Sequence, residues 1–122
     1  MFGALLGLFA SAAMVQAKVI HPSSSSVDTF KKEINSGVFI VDFFATWCGP
    51  CKKFAPTFEK TSSDFPNITF MKVDVDRYNP IAKWCRVRSM PTIVMFKDGK
   101  KVASKTGAMS YSEFKNWINK NL

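Results

Sequence analysis

From residue 18 onward, the spacing of hydrophobic positions changes repeatedly between two patterns, and these changes predict a mixed α/β fold. Nearly continuous apolar runs indicate strands, and the run at 38–45 is typical of a central strand buried on both faces. Strands are predicted at 18–21, 38–45, 68–75, 92–96 and 102–105. Apolar residues three and four positions apart predict helices at 27–34, 51–65, 78–85 and 111–118. The resulting order, β, α, β, α, β, α, β, β, α, predicts a mixed sheet covered by helices on both sides.

Two local signals mark where elements meet. Asp98-Gly99, between the last two predicted strands, is a residue pair favoured in two-residue hairpin turns. Ser110, followed three residues later by Glu113, forms a capping box, in which each side chain accepts a hydrogen bond from the other residue's backbone N–H. The capping box therefore marks the start of the last helix.

Residues 1–17 carry no charged side chain, and all 17 basic residues lie at Lys18 or beyond. This apolar segment is shorter than the about 20 residues that span a bilayer, and Val15-Gln16-Ala17 offers small residues before a cleavage point. We expect a signal segment, followed by a domain at 18–122 in the secretory pathway or outside the cell. An uncleaved membrane anchor or a cytoplasmic chain with an apolar tail are the alternatives. In a secreted chain, Asn67 would be a candidate glycosylation site.

The composition is that of one globular domain, with 122 residues of which 47% are hydrophobic and 21% charged. Seventeen Lys and Arg against nine Asp and Glu give a net charge of +8. This charge would permit binding to nucleic acid, an anionic surface or acidic proteins. The net charge alone does not distinguish among these three classes of partner.

The clearest chemical signal is Cys48-Gly49-Pro50-Cys51, which lies where a buried strand passes into a helix. Two cysteines three positions apart on the first turn share one helix face and can form a disulfide. Cys48, at the helix start, meets unpaired backbone N–H groups and the positive end of the helix dipole, which both favour a thiolate. Pro50 suits the first turn, where its missing N–H costs nothing. The pair is therefore predicted to open and close, with Cys51 the less exposed.

Two static interpretations of the cysteine pair compete with this redox interpretation. Zinc needs four ligands, and the chain offers only Cys85 and His21 besides the pair. A structural disulfide across two residues closes almost no loop and so removes little entropy from the unfolded chain. Both alternatives are therefore disfavoured.

Asp42 interrupts the apolar run of the predicted central strand. An unpaired buried carboxylate is costly, so this group is expected to be protonated near neutrality, paired, or reached by water. Because Asp42 lies six residues before Cys48, we interpret it as a proton acceptor for the deeper thiol of Cys51. Lys72, on the predicted strand 68–75, is a candidate partner for Asp42, and the alternative is an ordinary solvent-facing lysine.

The stretch Val41-Asp42-Phe43-Phe44-Ala45-Thr46-Trp47-Cys48-Gly49-Pro50-Cys51 resembles the active-site segment of the thioredoxins, and Met90-Pro91-Thr92 is similar to that family's cis-proline loop. The resemblance extends from about Lys18 to Leu122. It implies the thioredoxin fold, an α/β architecture with a central mixed sheet sandwiched by four helices. Phe44 stands where many members have Trp, which we interpret as a packing change.

The resemblance also implies how a substrate is held. The Met90–Pro91 bond is expected to be cis, and the backbone of Met90 and Thr92 is then expected to pair with an extended substrate segment beside Cys48. A flat apolar rim is expected from Trp47, Gly49, Pro50, Met90, Gly107 and Ala108.

The implied activity is reduction of protein disulfides. Cys48 is the expected nucleophile, Cys51 the resolving thiol and Asp42 the proton acceptor. The chain contains no Gly-rich nucleotide loop for a flavin or nicotinamide, so we expect no bound cofactor and electrons from a separate thioredoxin reductase. The expected partners are that reductase and disulfide-containing proteins, not nucleic acid, with a membrane involved only if residues 1–17 remain as an anchor. The protein is expected to be a monomer.

Two other functions stay open at the level of sequence. A secretory oxidase or isomerase resembling a protein disulfide isomerase domain is favoured by residues 1–17, but that group typically has His where Pro50 stands. The final residues, Asn119-Lys120-Asn121-Leu122, are not a retention signal for the endoplasmic reticulum. A binding module without turnover is the second alternative, and the intact cysteine pair argues against it.

The third cysteine, Cys85, shares a predicted helical stripe with Tyr78 and Ile81. A free cysteine commonly packs as a small hydrophobe, which is the role we expect. The alternative is a regulatory thiol whose pKa would be lowered by Arg86 and Arg88, if these side chains point toward the sulfur.

Overall fold

The computed structural model describes residues 18–122, so the predicted signal or anchor segment, residues 1–17, lies outside the described residues. Nine elements follow one another within the described range: β1 (Val19–Ile20), α1 (Val27–Glu33), β2 (Val38–Phe44), α2 (Gly49–Ser62), β3 (Ile68–Asp74), α3 (Asn79–Trp84), β4 (Thr92–Lys97), β5 (Lys100–Thr106) and α4 (Tyr111–Asn121). Their type and order confirm the sequence-based interpretation.

The end of α2 is the clearest difference from the predicted bounds. The helix was expected to reach Phe65, but it ends at Ser62, where the backbone N–H of Ser63 bonds back to the carbonyl oxygen of Lys60 at 3.3 Å. Pro66 follows, and the residue before a proline is disfavoured in helical conformation. The prediction for Phe65 was therefore wrong, although its ring still packs against Phe70.

The five strands form one mixed sheet in the order β1-β3-β2-β4-β5. β2 is parallel to β3 and antiparallel to β4, so both of its edges are hydrogen-bonded. β5 pairs only with β4 and forms one edge of the sheet, with a register shift opposite Met95 and Phe96. This arrangement is the mixed sheet predicted from the sequence, with β2 at its centre.

Side chains of β2 alternate between two hydrophobic clusters, one on each face of the sheet. On one face, Val41 and Phe43 pack in a cluster with Phe30 of α1 and Ile81 of α3. On the other face, Ile40 packs with residues of α2 and α4, namely Phe54, Phe58 and Phe114. The central strand is therefore buried on both faces, as its apolar run predicted. Within residues 18–122, no helix is long and apolar enough to cross a membrane.

The predicted hairpin turn joins β4 to β5. Asp98 and Gly99 both have positive φ, at 50° and 83°, as a two-residue turn with left-handed residues requires. The turn is tied to the loop before β2, because Gly37 N–H donates to Asp98 Oδ1 at 2.8 Å and Asp98 N–H donates to the Gly37 carbonyl at 2.9 Å. These two bonds fix the hairpin against the body of the sheet.

Helix α3 ends in a double backbone hydrogen bond that turns the chain sharply. Val87 N–H donates to the Ala82 carbonyl at 3.1 Å, and Arg86 N–H donates to the Lys83 carbonyl at 3.0 Å. Arg86 therefore adopts the left-handed conformation, with φ at 58°, where glycine is the usual residue. The turn directs the chain from α3 toward the Met90-Pro91 loop.

The capping box at the start of α4 is present as predicted, and it generates a stability test. Ser110 Oγ accepts from Glu113 N–H at 3.2 Å, and Glu113 Oε1 accepts from Ser110 N–H at 3.0 Å.

Replacing Ser110 with Ala should lower the free energy of unfolding by about 1 kcal/mol, because a helix N–H loses its acceptor. Ser112→Ala, two residues farther along the chain, should change it by less than about 0.5 kcal/mol. Urea denaturation of both variants measures the difference, and equal losses would contradict the assigned cap.

Candidate active site

The cysteine pair lies at the carboxyl end of β2, where the chain enters α2. Cys48 is the N-cap of this helix, with extended backbone angles, and its Sγ accepts from the Cys51 N–H at 3.2 Å. The two sulfurs form a disulfide with Cα atoms 5.3 Å apart, and Pro50 occupies the first helical turn. Cys48 is 7% exposed and Cys51 is 3% exposed. Helix start, spacer and relative depth therefore match the sequence-based prediction.

The Met90-Pro91 loop lies against the disulfide. The Met90–Pro91 bond is cis, and the Met90 carbonyl oxygen lies 3.6 Å from Cys48 Sγ. The loop is fastened to the chain after β5, since Gly107 N–H donates to the Pro91 carbonyl at 2.8 Å. Gly107 has a φ of +101°, a conformation that L side chains rarely adopt. These contacts bring Met90, Pro91 and Gly107 together beside Cys48.

The predicted rim residues differ in exposure. Trp47 is 67% exposed. The other members form two groups: Gly49, Pro50 and Ala108 are exposed, whereas Met90 and Gly107 are half-buried. Pro91 and Thr92 are buried, and the Thr92 hydroxyl donates to the Ser89 carbonyl at 2.6 Å. The side chain of Thr92 therefore holds the loop, which leaves only its backbone available to a substrate.

Asp76 is a site residue that the sequence analysis missed. The Trp47 indole N–H donates to Asp76 Oδ2 at 2.9 Å, which anchors the exposed ring next to the disulfide. Asp74 in turn accepts the Asp76 N–H at 3.0 Å through its Oδ1, which orders the turn after β3. The position of Asp76 just after β3 could have indicated its role, because residues that follow two adjacent parallel strands meet at the same end of the sheet.

Asp42 is completely buried in β2, and neither carboxylate oxygen has a hydrogen-bond partner among the described residues. Loss of water around the group raises the pKa of Asp42 from 3.8 to about 7, and the positive charge of Lys72 opposes this rise. A carboxyl group with this pKa exchanges its proton near neutral pH. That property suits the predicted role of proton acceptor.

The position of Asp42 follows from strand alternation. Ile40, two residues earlier on the same face, packs with Phe54 and Phe58 of α2. Residues 45–48 separate β2 from α2, so the helix runs back over the sheet and its first turns cover the carboxyl end of the strand. Asp42 therefore faces the side of the sheet that α2 covers.

Lys72 is the register partner of Asp42 on β3, the strand that pairs with β2 in parallel. Its ammonium group lies over the Phe44 ring, 4.4 Å from the centroid. Across residues 18–122, the ion pairs within 4 Å do not include Asp42 with Lys72. Lys72 therefore affects Asp42 through its charge, without a direct salt bridge.

Cys85 is buried and free at the end of α3. Burial raises the pKa of the Cys85 thiol to about 12, and the charge that opposes this rise comes from Lys101 on β5. The alternative of a regulatory thiol, with its pKa lowered by Arg86 and Arg88, is not supported, because both side chains are exposed to solvent and burial dominates. The geometry fits the packing role. In the part of the chain that the structure describes, no group of three His, Cys, Asp or Glu side chains is placed to hold a metal ion.

Comparison with known proteins agrees with this geometry. The family model described as Thioredoxin matches residues 21–120. The chain belongs to the thioredoxin family. It is 47% identical over 87 residues to a thioredoxin of Coprinus comatus, covering 69% of this chain and 82% of that protein. It is 46% identical over 93 residues to Thioredoxin-2 of Pyricularia oryzae, covering 75% of this chain but about half, 54%, of that relative.

A solved structure supports the same assignment at the level of the fold. The crystal structure of Malassezia sympodialis thioredoxin superposes with a TM-score of 0.76 at 40% identity, covering 87% of this chain and 92% of that one. The named thioredoxins are protein disulfide oxidoreductases. With its Cys48–Cys51 pair, this thioredoxin is a thiol–disulfide oxidoreductase of the same type.

The raised pKa of Asp42 predicts an unusual dependence of stability on pH. The unfolded carboxyl group ionises near its ordinary pKa of 3.8, whereas the folded one keeps its proton until about pH 7, so unfolding releases a proton between these values. The free energy of unfolding contributed by Asp42 should therefore fall by about 4 kcal/mol as pH rises from 4 to 8, and should level off above the folded pKa. Asp42→Asn should remove this decline and be the more stable protein at pH 8.

Urea denaturation of the oxidised protein at pH 4, 6 and 8 measures the decline. Asp28→Asn, at an exposed position on α1, is the matched control and should retain it. A decline of equal size in the Asp42→Asn protein would contradict the burial of an unpaired carboxyl group.

Proposed function

We propose that this thioredoxin reduces disulfides of partner proteins, with Cys48 as the attacking thiolate, Cys51 as the resolving thiol and Asp42 as the proton acceptor. The observation that carries the proposal is the placement of Cys48 at the N-terminus of α2, directly against the Met90 carbonyl of the cis-proline loop. A helix N-terminus stabilises a thiolate. The cis-proline loop supplies backbone groups to which a substrate chain can bind.

In the first step, the Cys48 thiolate attacks one sulfur of the partner disulfide. A bond forms between Cys48 Sγ and that sulfur, the partner disulfide breaks, and the other partner sulfur leaves as a thiolate that takes a proton from water. Trp47, anchored by Asp76, together with Gly49, Pro50 and Ala108 provides the surface on which the partner rests.

In the second step, Cys51 loses its proton to Asp42 and attacks Cys48 Sγ. The mixed disulfide breaks, the partner leaves with both sulfurs reduced, and the Cys48–Cys51 disulfide remains. Two electrons must then return to the pair from outside. We assign this step to a separate thioredoxin reductase, because the proposed chemistry of the chain itself uses only its cysteines and Asp42.

The cellular setting is part of the proposal. We propose that residues 1–17 form a signal segment removed before Lys18 and that the domain acts as a monomer in the secretory pathway or outside the cell. An apolar stretch too short to span a bilayer, followed by Val15-Gln16-Ala17 before Lys18, supports this assignment. Sequencing the N-terminus of the native protein tests it, since a start at Met1 would support an anchor or a cytoplasmic tail instead.

The two active-site cysteines should differ in how their loss affects catalysis. Cys48→Ser should abolish insulin disulfide reduction, because the attacking thiolate is gone. Cys51→Ser should instead accumulate a mixed disulfide with the partner, since attack continues without resolution. Cys85→Ala is the matched control and should keep more than about half of the activity. Non-reducing electrophoresis and mass spectrometry detect the mixed disulfide, and multiple turnovers by Cys51→Ser would refute these roles.

The proton acceptor has a kinetic test that is separate from its effect on stability. Asp42→Asn should slow release of a preformed mixed disulfide at least about tenfold at pH 7, because Cys51 loses its base. In the unmodified protein the release rate should rise through about pH 7, the pKa of Asp42. Single-turnover release measured from pH 6 to 9 reports both effects, with Asp28→Asn as control. Identical profiles for the two variants would exclude Asp42 as the base.

A further inference from the structure

A groove on the side of the molecule formed by α3 and the β4–β5 hairpin has no part in the chemistry described above. It has a volume of about 420 Å³, and we call it the Trp84 groove. Its lining residues are Trp84, Cys85, Arg86, Phe96, Gly99 and Lys101. Phe96 is only 2% exposed, whereas Trp84 is 41% exposed, so a buried ring lies below an accessible one. The groove therefore offers an apolar contact that solvent can reach.

The charge around this apolar contact is positive. Arg86 and Lys101 line the groove, and Lys31 Nζ lies 5.6 Å from the centroid of the Trp84 ring. None of the six lining residues carries a carboxylate. The nearby Asp98 carboxylate at the hairpin turn already accepts the Gly37 N–H. An anionic ligand would thus meet three cations around an aromatic surface.

The groove is connected to the active site by a short stretch of chain. Arg86 and Met90 are four positions apart in the sequence, which limits the distance between their Cα atoms to about 14 Å. The Met90 carbonyl lies 3.6 Å from Cys48 Sγ. An extended polypeptide of about five residues can therefore reach from the disulfide to the groove.

We propose that the Trp84 groove binds an acidic segment of the disulfide-containing proteins that this thioredoxin reduces, with an apolar side chain against Trp84 and carboxylates on Arg86 and Lys101. The proposal rests on the proposed function and adds a substrate class to it. Arg binds carboxylates through paired hydrogen bonds, and Trp provides a large apolar contact. Charge complementarity of this kind raises association rates and selects among partners.

Direct binding tests the groove without any redox chemistry. The probe is a fluorescein-labelled, cysteine-free peptide of ten residues with four Glu and one central Phe, and its partner peptide has Gln in place of each Glu. The acidic peptide should bind at least about fivefold more tightly than the neutral one in anisotropy titrations at 50 mM salt. The difference should shrink as salt is raised, because exposed charges are screened. Arg86→Gln with Lys101→Gln should remove the preference, and Arg86→Lys with Lys101→Arg should keep it.

Lys18→Gln with Lys120→Gln is the matched control for net charge. Both side chains are exposed, Lys18 precedes the strand at the opposite edge of the sheet, and Lys120 lies on the helix that covers the other face. This control should keep the preference for the acidic peptide. Loss of the preference in the control would overturn the groove as its source, as would equal binding of the two peptides. Tighter binding of single-stranded RNA, with displacement of the acidic peptide, would overturn the proposal in favour of nucleic acid.

Kinetics then connects the groove to catalysis. Two disulfide-bridged peptides with the same acidic and neutral segments, placed five residues from the cystine, serve as substrates. The ratio of kcat/KM, acidic over neutral, should be about five and should fall to about one in the Arg86→Gln, Lys101→Gln protein. A ratio of one in the unmodified protein would overturn the link between groove and substrate choice. Reduction of neither peptide would instead refute the proposed function, while the anisotropy result would still decide the groove.

Discussion

The burial of β2 on both faces and both edges determines where every part of the active site lies. Parallel pairing with β3 brings the turn that carries Asp76 to the end of the sheet where Trp47 lies, at the carboxyl ends of β2 and β3. Antiparallel pairing with β4 brings the start of that strand, and with it Pro91, to the same end of the sheet. Because β2 is held by apolar packing on both sides, Cys48 emerges from a rigid base, and the sulfur keeps a fixed position relative to the loop that faces it.

The same burial makes Asp42 costly. A carboxyl group without a hydrogen-bond partner in a dry strand weakens the fold, and an amide or apolar residue would pack there with less penalty. The cost is linked to the chemistry, because removal of water is also what moves the pKa of Asp42 to about 7. A group that destabilises the folded state thereby becomes able to accept and release a proton under neutral conditions.

Much of this arrangement was readable from local sequence patterns. The order of elements along the chain, the helix that starts at the cysteine pair and the Asp98-Gly99 turn all depend on spacing within about ten residues, which periodicity and turn chemistry report directly. Contacts between residues far apart in the sequence could not be predicted in this way. The Trp47–Asp76 bond joins positions 29 residues apart, and the approach of Lys101 to Cys85 depends on how β5 pairs with β4.

One sequence-based expectation and one sequence-based alternative also failed for specific physical reasons. Phe65 follows the apolar spacing of α2, yet Pro66 ends the helix before it, so a steric rule outweighed periodicity. Arg86 and Arg88 are close to Cys85 along the chain, but the left-handed turn at Arg86 leads the backbone away and both side chains reach solvent. Proximity in sequence does not identify the cation that acts on Cys85, since conformation decides which charges face a buried sulfur.

The exposed edge of β5 affects how copies of the protein can associate. A strand with one unpaired edge can align with the same strand of another molecule, and most residues of β5 are exposed. In an antiparallel alignment centred on Ala103, Lys101 of each copy would stand opposite Lys105 of the other. A shift of one residue would place Lys100 opposite Lys105 instead. Like charges directly opposite each other destabilise strand pairing, so the lysines of β5 oppose sheet-to-sheet aggregation while the backbone edge stays open.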